Sequence, residues 1–244
     1  MATLGDRYRV VAPDLRGYGA SELSRSGRYD LDVLVDDLGL VVDRFAPGAA
    51  VLLGAHDWGG PIAWRYAERH PWRVRHLVAA NAPHPAAYAL ELPRPSQLIR
   101  SWYVFLFQVP RIERPIEATH ASLLLWMMRA SAPRHLFSAD DLALYRAALD
   151  RPDRTAAVLA YYRAAMAGGL LERRRRELTS PRVQAAVTVV WGDTDKCLAP
   201  THPDAIRRWA AHLEIRRLPT ASHWLPEEHP DAIVQALVDG DASA

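Results

Sequence analysis

The sequence predicts an α/β fold in which a mostly parallel sheet is flanked by helices and interrupted by a block of helices. Short β-branched and apolar runs alternate with helical stretches in both outer parts of the chain. Between them, helical patterns follow one another and no strand pattern is convincing. We therefore expect a first core part at residues 1–83, a helical cap at 84–181 and a second core part at 182–244.

The composition is that of a compact globular protein. The 244 residues are half apolar, and 30 Lys and Arg against 28 Asp and Glu give a formal net charge of +2. This balance gives no reason to expect a nucleic-acid or membrane partner, and the basic run 173–176 is typical of a solvated helix face. Cys197 is the only cysteine, which favours a reducing compartment. Because the sequence has no signal-peptide pattern or membrane-spanning run, we expect a cytoplasmic protein. We expect no metal and no cofactor. No pattern predicts the oligomeric state.

Five segments have the pattern of strands. The middle ones are apolar on both faces, as in parallel sheets that helices cover on both sides. The segments are YRVVAP (8–13), AAVLLG (49–54), VRHLVAAN (74–81), AAVTVVWG (185–192) and LEIRRLP (213–219).

Helices are predicted between and after these strands. One opens at Asp30, carries an apolar stripe and ends at Pro47-Gly48, and another follows the second strand until Pro71 stops it. In the cap, Ser138 with Asp141 forms a capping-box pattern. Pro152 is expected to open the last cap helix and Gly168-Gly169 to close it. The expected cap helices cover residues 96–108, 117–130, 139–149 and 153–167.

Asp57 stands at a strand-to-helix turn, in the stretch GAHDWGG (54–60). Small residues on both sides allow a strained turn that lifts the central side chain out of the sheet, as nucleophiles require. Aspartate is also a favoured helix N-cap, so the motif alone leaves a capping role open.

Two later stretches place polar side chains just beyond strand ends, where α/β sheets build their sites. Asp195 follows one strand in VVWGDTDKCL, and His223 follows the next in LPTASHWLPEEHP. The chain order Asp57, Asp195, His223 is nucleophile, acid, base. Asp193 competes for the acid role, but the turn after the strand needs room before a carboxylate can face inward, which favours Asp195. We expect His56 to point away from the side of Asp57.

Five motifs, in order and correctly spaced over nearly the whole chain, resemble the epoxide hydrolase branch of the α/β-hydrolase superfamily. The resemblance implies that Asp57 is the nucleophile, that Asp195 and His223 form the acid–base pair, and that the Trp58 N–H is one half of an oxyanion hole. The substrate it implies is a small apolar epoxide, with water. The motifs are VVAPDLRGYGASE (10–22), GAHDWGGPIAWRYAERHP (54–71), NAPHP (81–85), VVWGDTD (189–195) and SHW (222–224).

The resemblance extends to two cap segments. SWYVFLFQVP (101–110) is similar to the family's first cap segment and puts its lid tyrosine at Tyr103; LAYYRAAM (159–166) is similar to the second and puts the other at Tyr162. Without the resemblance, an aromatic residue at helical spacing is more commonly part of a helix core. The aromatic and methionine residues of the cap suggest an apolar pocket lining: Trp102, Phe105, Trp126, Met127 and Met128.

One family motif is missing. Members carry a His-Gly-x-Pro loop whose backbone N–H supplies the other half of the oxyanion hole, and no His-Gly pair occurs in this chain. The first strands of the sheet also have no counterpart before residue 8. A misplaced start, a fragment and a protein that has abandoned hydrolysis are all consistent with this. We expect the chain as written to be a poor catalyst and a marginal fold.

The sequence also has features of other hydrolases and of binding proteins. A haloalkane dehalogenase shares the aspartate and the following tryptophan, but binds halide with indole N–H groups rather than a tyrosine pair. Fluoroacetate dehalogenases place arginine at the position of Trp58, and no G-x-S-x-G of a serine esterase occurs. A degenerate hydrolase fold kept for binding is supported by the missing loop and opposed by the retention of Asp57, Asp195 and His223.

Overall fold

The computed structural model describes residues 2–151, 153–167, 169, 174, 175 and 177–242. Its sheet has four strands, all parallel, in the order β1-β2-β3-β4. Four of the five predicted strands are thereby confirmed, with ends shifted by a few residues. The strands are β1 Val51–His56, β2 Val74–Ala80, β3 Val183–Gly192 and β4 Ala210–Leu218.

Helices cover both faces of the sheet. Helix α2 (Leu31–Phe45) packs on α3 (Gly59–Arg69), and α3 contacts β1, β2 and β3. The last helix, α13 (Pro230–Ala242), also contacts these three strands. Separate buried clusters, one including Trp64 and Val187 and the other Val78 and Ala236, fill the space on the two sides. This arrangement explains why β2 and β3 are apolar at successive positions, since both faces of each strand are removed from water.

The short elements complete the core part of the chain. Asp30 caps α2 as expected, because its side chain accepts a hydrogen bond from the backbone N–H of Val33. In the part of the chain that the structure describes, no helix has both the length and the hydropathy needed to cross a membrane. The short elements are α1 Ala2–Gly5, a 3-10 turn Pro71–Arg73, α11 His202–Ile206 and α12 Leu225–Glu228.

Between β2 and β3, the described residues form helices and no strand; we refer to residues 85–166 as the helical insertion. The predicted helix 117–130 is two helices, because His120 and Ala121 adopt positive φ angles of 50° and 57° that an α-helix cannot contain. The predicted helix 96–108 is also divided, at Ser101. The helices are α4 Pro85–Glu91, α5 Pro95–Arg100, α6 Trp102–Leu106, α7 Glu113–Ala118, α8 Ser122–Ser131, α9 Ala139–Leu149 and α10 Arg154–Met166.

The start of α9 confirms a sequence signal. Ser138 and Asp141 form the expected capping box, each bonding the backbone N–H of the other. The predicted roles of Pro152 and Gly168 fall outside the described residues, as do two of the arginines in the run 173–176.

The prediction of a strand at YRVVAP (8–13) is wrong. These residues have no regular secondary structure, and they lie beside β1 across a groove of about 660 Å³ that both segments line. A strand exists only through hydrogen bonds to a neighbour, and β1 is an edge of the described sheet with β2 as its partner. The β-branched pattern of the segment therefore predicted an extended backbone but not its pairing.

Candidate active site

Asp57 occupies the turn between β1 and α3 in a strained conformation. Its φ is 46°, a left-handed value that non-glycine residues rarely adopt. The turn is tight because α3 starts two residues later and passes so close to β2's end that a Cβ at Gly60 would overlap Ala82. The capping alternative is wrong, because α3 has no side-chain cap and the Asp57 carboxylate faces His223. The backbone strain holds the carboxylate at the surface of a cavity.

His223 lies between two carboxylates. Its Nε2 is 3.3 Å from Oδ2 of Asp57, and its Nδ1 is 2.8 Å from Oδ2 of Asp195. The other oxygen of Asp195 accepts the backbone N–H groups of Cys197 and Leu198 at 2.6 and 2.9 Å. The side chains of His223 and Asp195 are 5% and 1% exposed, whereas Asp57 is 45% exposed. Asp195 therefore holds the ring through Nδ1, and Nε2 at the opposite edge faces the carboxylate of Asp57 at the cavity.

Asp193 and His56 occupy different surroundings. Asp193 forms an ion pair with Arg217 at 2.7 Å on the surface, so Asp195 is the carboxylate that contacts His223. His56 Nε2 donates to the backbone carbonyl of His223 at 2.8 Å, and the two rings are 4.8 Å apart. Burial, followed by the charge of His223, lowers the pKa of His56 to about 4. His56 is thus a neutral support of the His223 loop.

Asp57 and His223 shift each other's pKa in opposite directions. Burial alone would raise the pKa of Asp57, but the hydrogen bond and charge of His223 outweigh it and lower this pKa to about 2. The nearby Trp58 backbone N–H acts in the same direction. Burial alone would lower the pKa of His223, but the charge of Asp195 and the hydrogen bonds to Asp195 and Asp57 raise it well above its usual value. The free site therefore contains a carboxylate at Asp57 beside a protonated imidazole.

The two tyrosines singled out in the sequence meet above the turn. The rings of Tyr103 and Tyr162 are edge-to-face with centroids 5.8 Å apart, and Tyr162 is 5.1 Å from the Trp58 ring. Burial raises the pKa of both phenols well above the usual value, and the charge of Asp57 contributes in each case. Both hydroxyls consequently stay protonated and can donate hydrogen bonds.

A cavity of about 600 Å³ brings Asp57, Trp58, Tyr103 and Tyr162 to one surface. Its apolar walls come from Val104, Leu198 and other residues, but its far side carries charged side chains that pair with one another. These charged residues are Asp32, Arg65, Glu68, Arg69 and Glu177.

The expected lining of this cavity is wrong. Of the five residues suggested for it, Trp102 and Trp126 are 47% and 58% exposed. Phe105, Met127 and Met128 are likewise not among the residues that line the cavity. Helical geometry explains the difference: with Tyr103 directed inward, the residue before it is rotated by about 100° toward solvent.

Two buried side-chain amides, Asn81 and Gln97, support the site, and the sequence predicted no role for either. Asn81 follows β2 with a φ of 39°; it donates to the carbonyl of Ser222 and accepts from the N–H of Gly192, each at 2.7 Å. It thereby joins the ends of β2 and β3 to the loop that carries His223. The motif NAPHP contains Asn81, so its place at a strand end was an available signal.

Gln97, in the helical insertion, supports the loop of Asp195. Its amide donates to the Cys197 carbonyl at 2.9 Å and accepts from the Ala199 N–H and His202 Nε2, each at 2.8 Å. The side chain is fully buried. Nothing in the sequence around Gln97 indicates this role, because its partners are about 100 residues away.

Comparison with known proteins shows which family this chain belongs to. A family described as alpha/beta hydrolase fold matches residues 1–230. The AB hydrolase superfamily protein YfhM of Bacillus subtilis is 32% identical over 95% of this chain and 79% of its own length. Epoxide hydrolase 3 of Xenopus tropicalis is 32% identical over 95% of this chain, which spans 64% of that relative's length. A crystal structure of Bacillus megaterium epoxide hydrolase with an inhibitor matches with a TM-score of 0.87 and 28% identity, over 99% of this chain and 86% of that one.

Proposed function

We propose that this chain, which belongs to the α/β-hydrolase family and is epoxide hydrolase-like, opens small epoxides to diols through a covalent ester on Asp57. The observation that supports this most directly is the position of Asp57. Its carboxylate faces the cavity at a strained turn, with His223 on one side and a tyrosine pair at the same surface. A protein kept only for binding would gain nothing from retaining Asp57, Asp195 and His223 together.

In the first step, an oxygen of Asp57 attacks an epoxide carbon and the carbon–oxygen bond of the ring breaks. A carboxylate suits this attack because it is already ionised, with a pKa of about 2, and needs no base. It also forms an ester, which water can cleave, whereas a serine would form a stable ether.

The breaking bond leaves negative charge on the epoxide oxygen, which Tyr103 and Tyr162 stabilise by donating hydrogen bonds and one proton. Their raised pKa values keep them protonated until that charge develops. Because both tyrosines belong to the segment 84–181, we propose that this segment acts as a cap that completes the site over the core parts 1–83 and 182–244.

In the second step, His223 takes a proton from water, which attacks the ester carbonyl. The Trp58 N–H stabilises the resulting oxyanion, as one donor of an oxyanion hole. The diol leaves with the former Asp57 oxygen and takes the proton from His223, and the proton of the restored Asp57 carboxyl returns to the tyrosine. Asp195 orients the ring and stabilises its charged form.

Ester formation itself prepares His223 for this task. In the free protein the ionised Asp57 helps to raise the pKa of His223, and a protonated imidazole cannot act as a base. An ester is neutral, so its formation removes that contribution and lowers the pKa of His223. The ring then releases its proton to solvent more readily, which leaves it able to act as a base, and it takes up a proton again once Asp57 is ionised.

The test is to trap the ester. His223→Gln protein incubated with a small aryl or alkyl epoxide should gain the mass of one substrate molecule, and the adduct should map to the peptide around Asp57. His212→Gln, at an exposed histidine, is the matched control and should turn over without trapping. Asp57→Asn should form no adduct.

Other results would assign a different function. Trapping with a haloalkane, accompanied by halide release and no reaction with epoxides, would identify a dehalogenase. Absence of any adduct together with saturable ligand binding would identify a binding protein.

A further inference from the structure

The thiol of Cys197 lies beside the pair of His223 and Asp195, and the proposed reaction gives it no task. One ligand atom from each of the three side chains lies within 4.8 Å of the other two: the Cys197 sulfur, a ring nitrogen of His223 and a carboxylate oxygen of Asp195. Asp195 and His223 are almost fully buried, and Cys197 is partly buried.

We propose that Cys197, His223 and Asp195 form a binding site for a thiophilic divalent cation, Zn²⁺ or Cd²⁺, and that its occupation blocks His223. Sulfur, imidazole and carboxylate are all zinc ligands, with bond lengths of about 2.0–2.3 Å. Tetrahedral ligands at those lengths stand roughly 3.3–3.8 Å apart. The three atoms lie within 4.8 Å of one another, so they must approach by up to about 1.5 Å to share one ion, with water as the fourth ligand.

The charge at this place favours a dication. Two carboxylates, Asp57 and Asp195, contact the same imidazole, at 3.3 and 2.8 Å. On binding, the sulfur–metal bond forms as the thiol releases its proton to solvent, and the coordinating nitrogen of His223 releases any proton it carries. No electron is transferred. The thiolate selects Zn²⁺ and Cd²⁺ over Mg²⁺ and Ca²⁺, which prefer oxygen ligands.

Coordination of the metal and inhibition of epoxide turnover are separate consequences of the proposed site. Coordination depends only on the three side chains, whereas inhibition rests on the proposed function, in which His223 must be free to take a proton from water. An experiment that measures both therefore distinguishes a failure of the site from a failure of the proposed function.

The test is a titration of the full chain with CdCl₂, followed by the ultraviolet thiolate-to-Cd²⁺ charge-transfer absorbance. Because Cys197 is the only cysteine, any such band reports this site. The band should saturate at one Cd²⁺ per chain, disappear in Cys197→Ser and require about tenfold more Cd²⁺ in His223→Gln. Zn²⁺ should inhibit epoxide turnover, and the Zn²⁺ concentration for half inhibition should be at least about tenfold higher in Cys197→Ser, with each protein compared with its own rate without metal.

His120→Gln is the matched control, because His120 and Asp150 form an exposed histidine–carboxylate pair at 2.9 Å. This variant should behave like the parent protein in both assays. Absence of the band from the parent, an unchanged titration in His223→Gln, or equal inhibition of the parent and Cys197→Ser would each overturn the proposal. If the chain shows no epoxide turnover, the absorbance titration alone decides whether the site exists.

Discussion

Nε2 of His223 lies 3.3 Å from Oδ2 of Asp57, while Nδ1 of the same ring lies 2.8 Å from Oδ2 of Asp195. Both carboxylates raise the pKa of the same imidazole, and only the charge of Asp57 changes during the proposed reaction.

The two steps should consequently differ in pH dependence. Asp57, with a pKa of about 2, stays ionised across the neutral range, so its ionisation makes the alkylation rate flat between about pH 5 and pH 8. Ester hydrolysis needs neutral His223, so its rate should rise with pH until that group is deprotonated in the ester. Rapid-quench kinetics measure both steps; an alkylation rate that falls with pH across this window would contradict the assignment.

Oxygen labelling should identify the carbon atom that water attacks. In ¹⁸O-water with protein in excess over epoxide, a single turnover should place the label in the carboxyl group of Asp57 and leave the diol unlabelled. The reason is that water adds to the ester carbonyl while the original Asp57 oxygen leaves with the product. Mass spectrometry of the peptide containing Asp57 gives the result, and label found only in the diol would indicate direct attack of water on the epoxide.

Removing the tyrosine hydroxyls should slow the first step alone. Tyr103→Phe or Tyr162→Phe should each reduce the alkylation rate by about a hundredfold, the usual effect of losing one preorganised donor. The double variant should be slower than either, while hydrolysis of ester already formed should be nearly unchanged. Tyr145→Phe, also in the helical insertion, serves as control. Unchanged alkylation in the double variant would make both residues structural.

Substitution of Asp195 and of Asp193 should have very different effects on the rate. Asp195→Asn should slow ester hydrolysis by about a thousandfold or more, because the amide no longer stabilises the protonated ring or fixes its tautomer. Asp193→Asn removes only a partly exposed ion pair with Arg217, which costs about 0–1 kcal/mol of stability. Steady-state rates and thermal melts of both variants are sufficient. Comparable losses of rate would contradict the assignment of the acid.

The buried amide of Gln97 should matter for stability. Gln97→Met fills the same space but leaves the Ala199 N–H, the Cys197 carbonyl and His202 without this partner. At about 1–3 kcal/mol for each unsatisfied buried group, unfolding should become easier by about 3 kcal/mol or more. Urea denaturation measures this difference. Gln235→Met, at an exposed position, should cost little; an equally small effect of Gln97→Met would show that the loop adapts.

The sequence by itself determined what depends on neighbours along the chain. The apolar runs of the four strands, the cap at Asp30, the capping box at Ser138 and the turn at Asp57 are all local, and each pattern predicted its element. The order of Asp57, Asp195 and His223 also predicted the family, because strand ends of a parallel sheet gather at one edge.

Tertiary structure decided what depends on residues far apart in the chain. Segment 8–13 is not a strand because pairing needs a partner. Gln97 finds its partners about 100 residues away, and the outward side of α6 is set by what Tyr103 packs against. Local preferences fix backbone conformation within a few residues, but which side chains meet is decided by packing of the whole core.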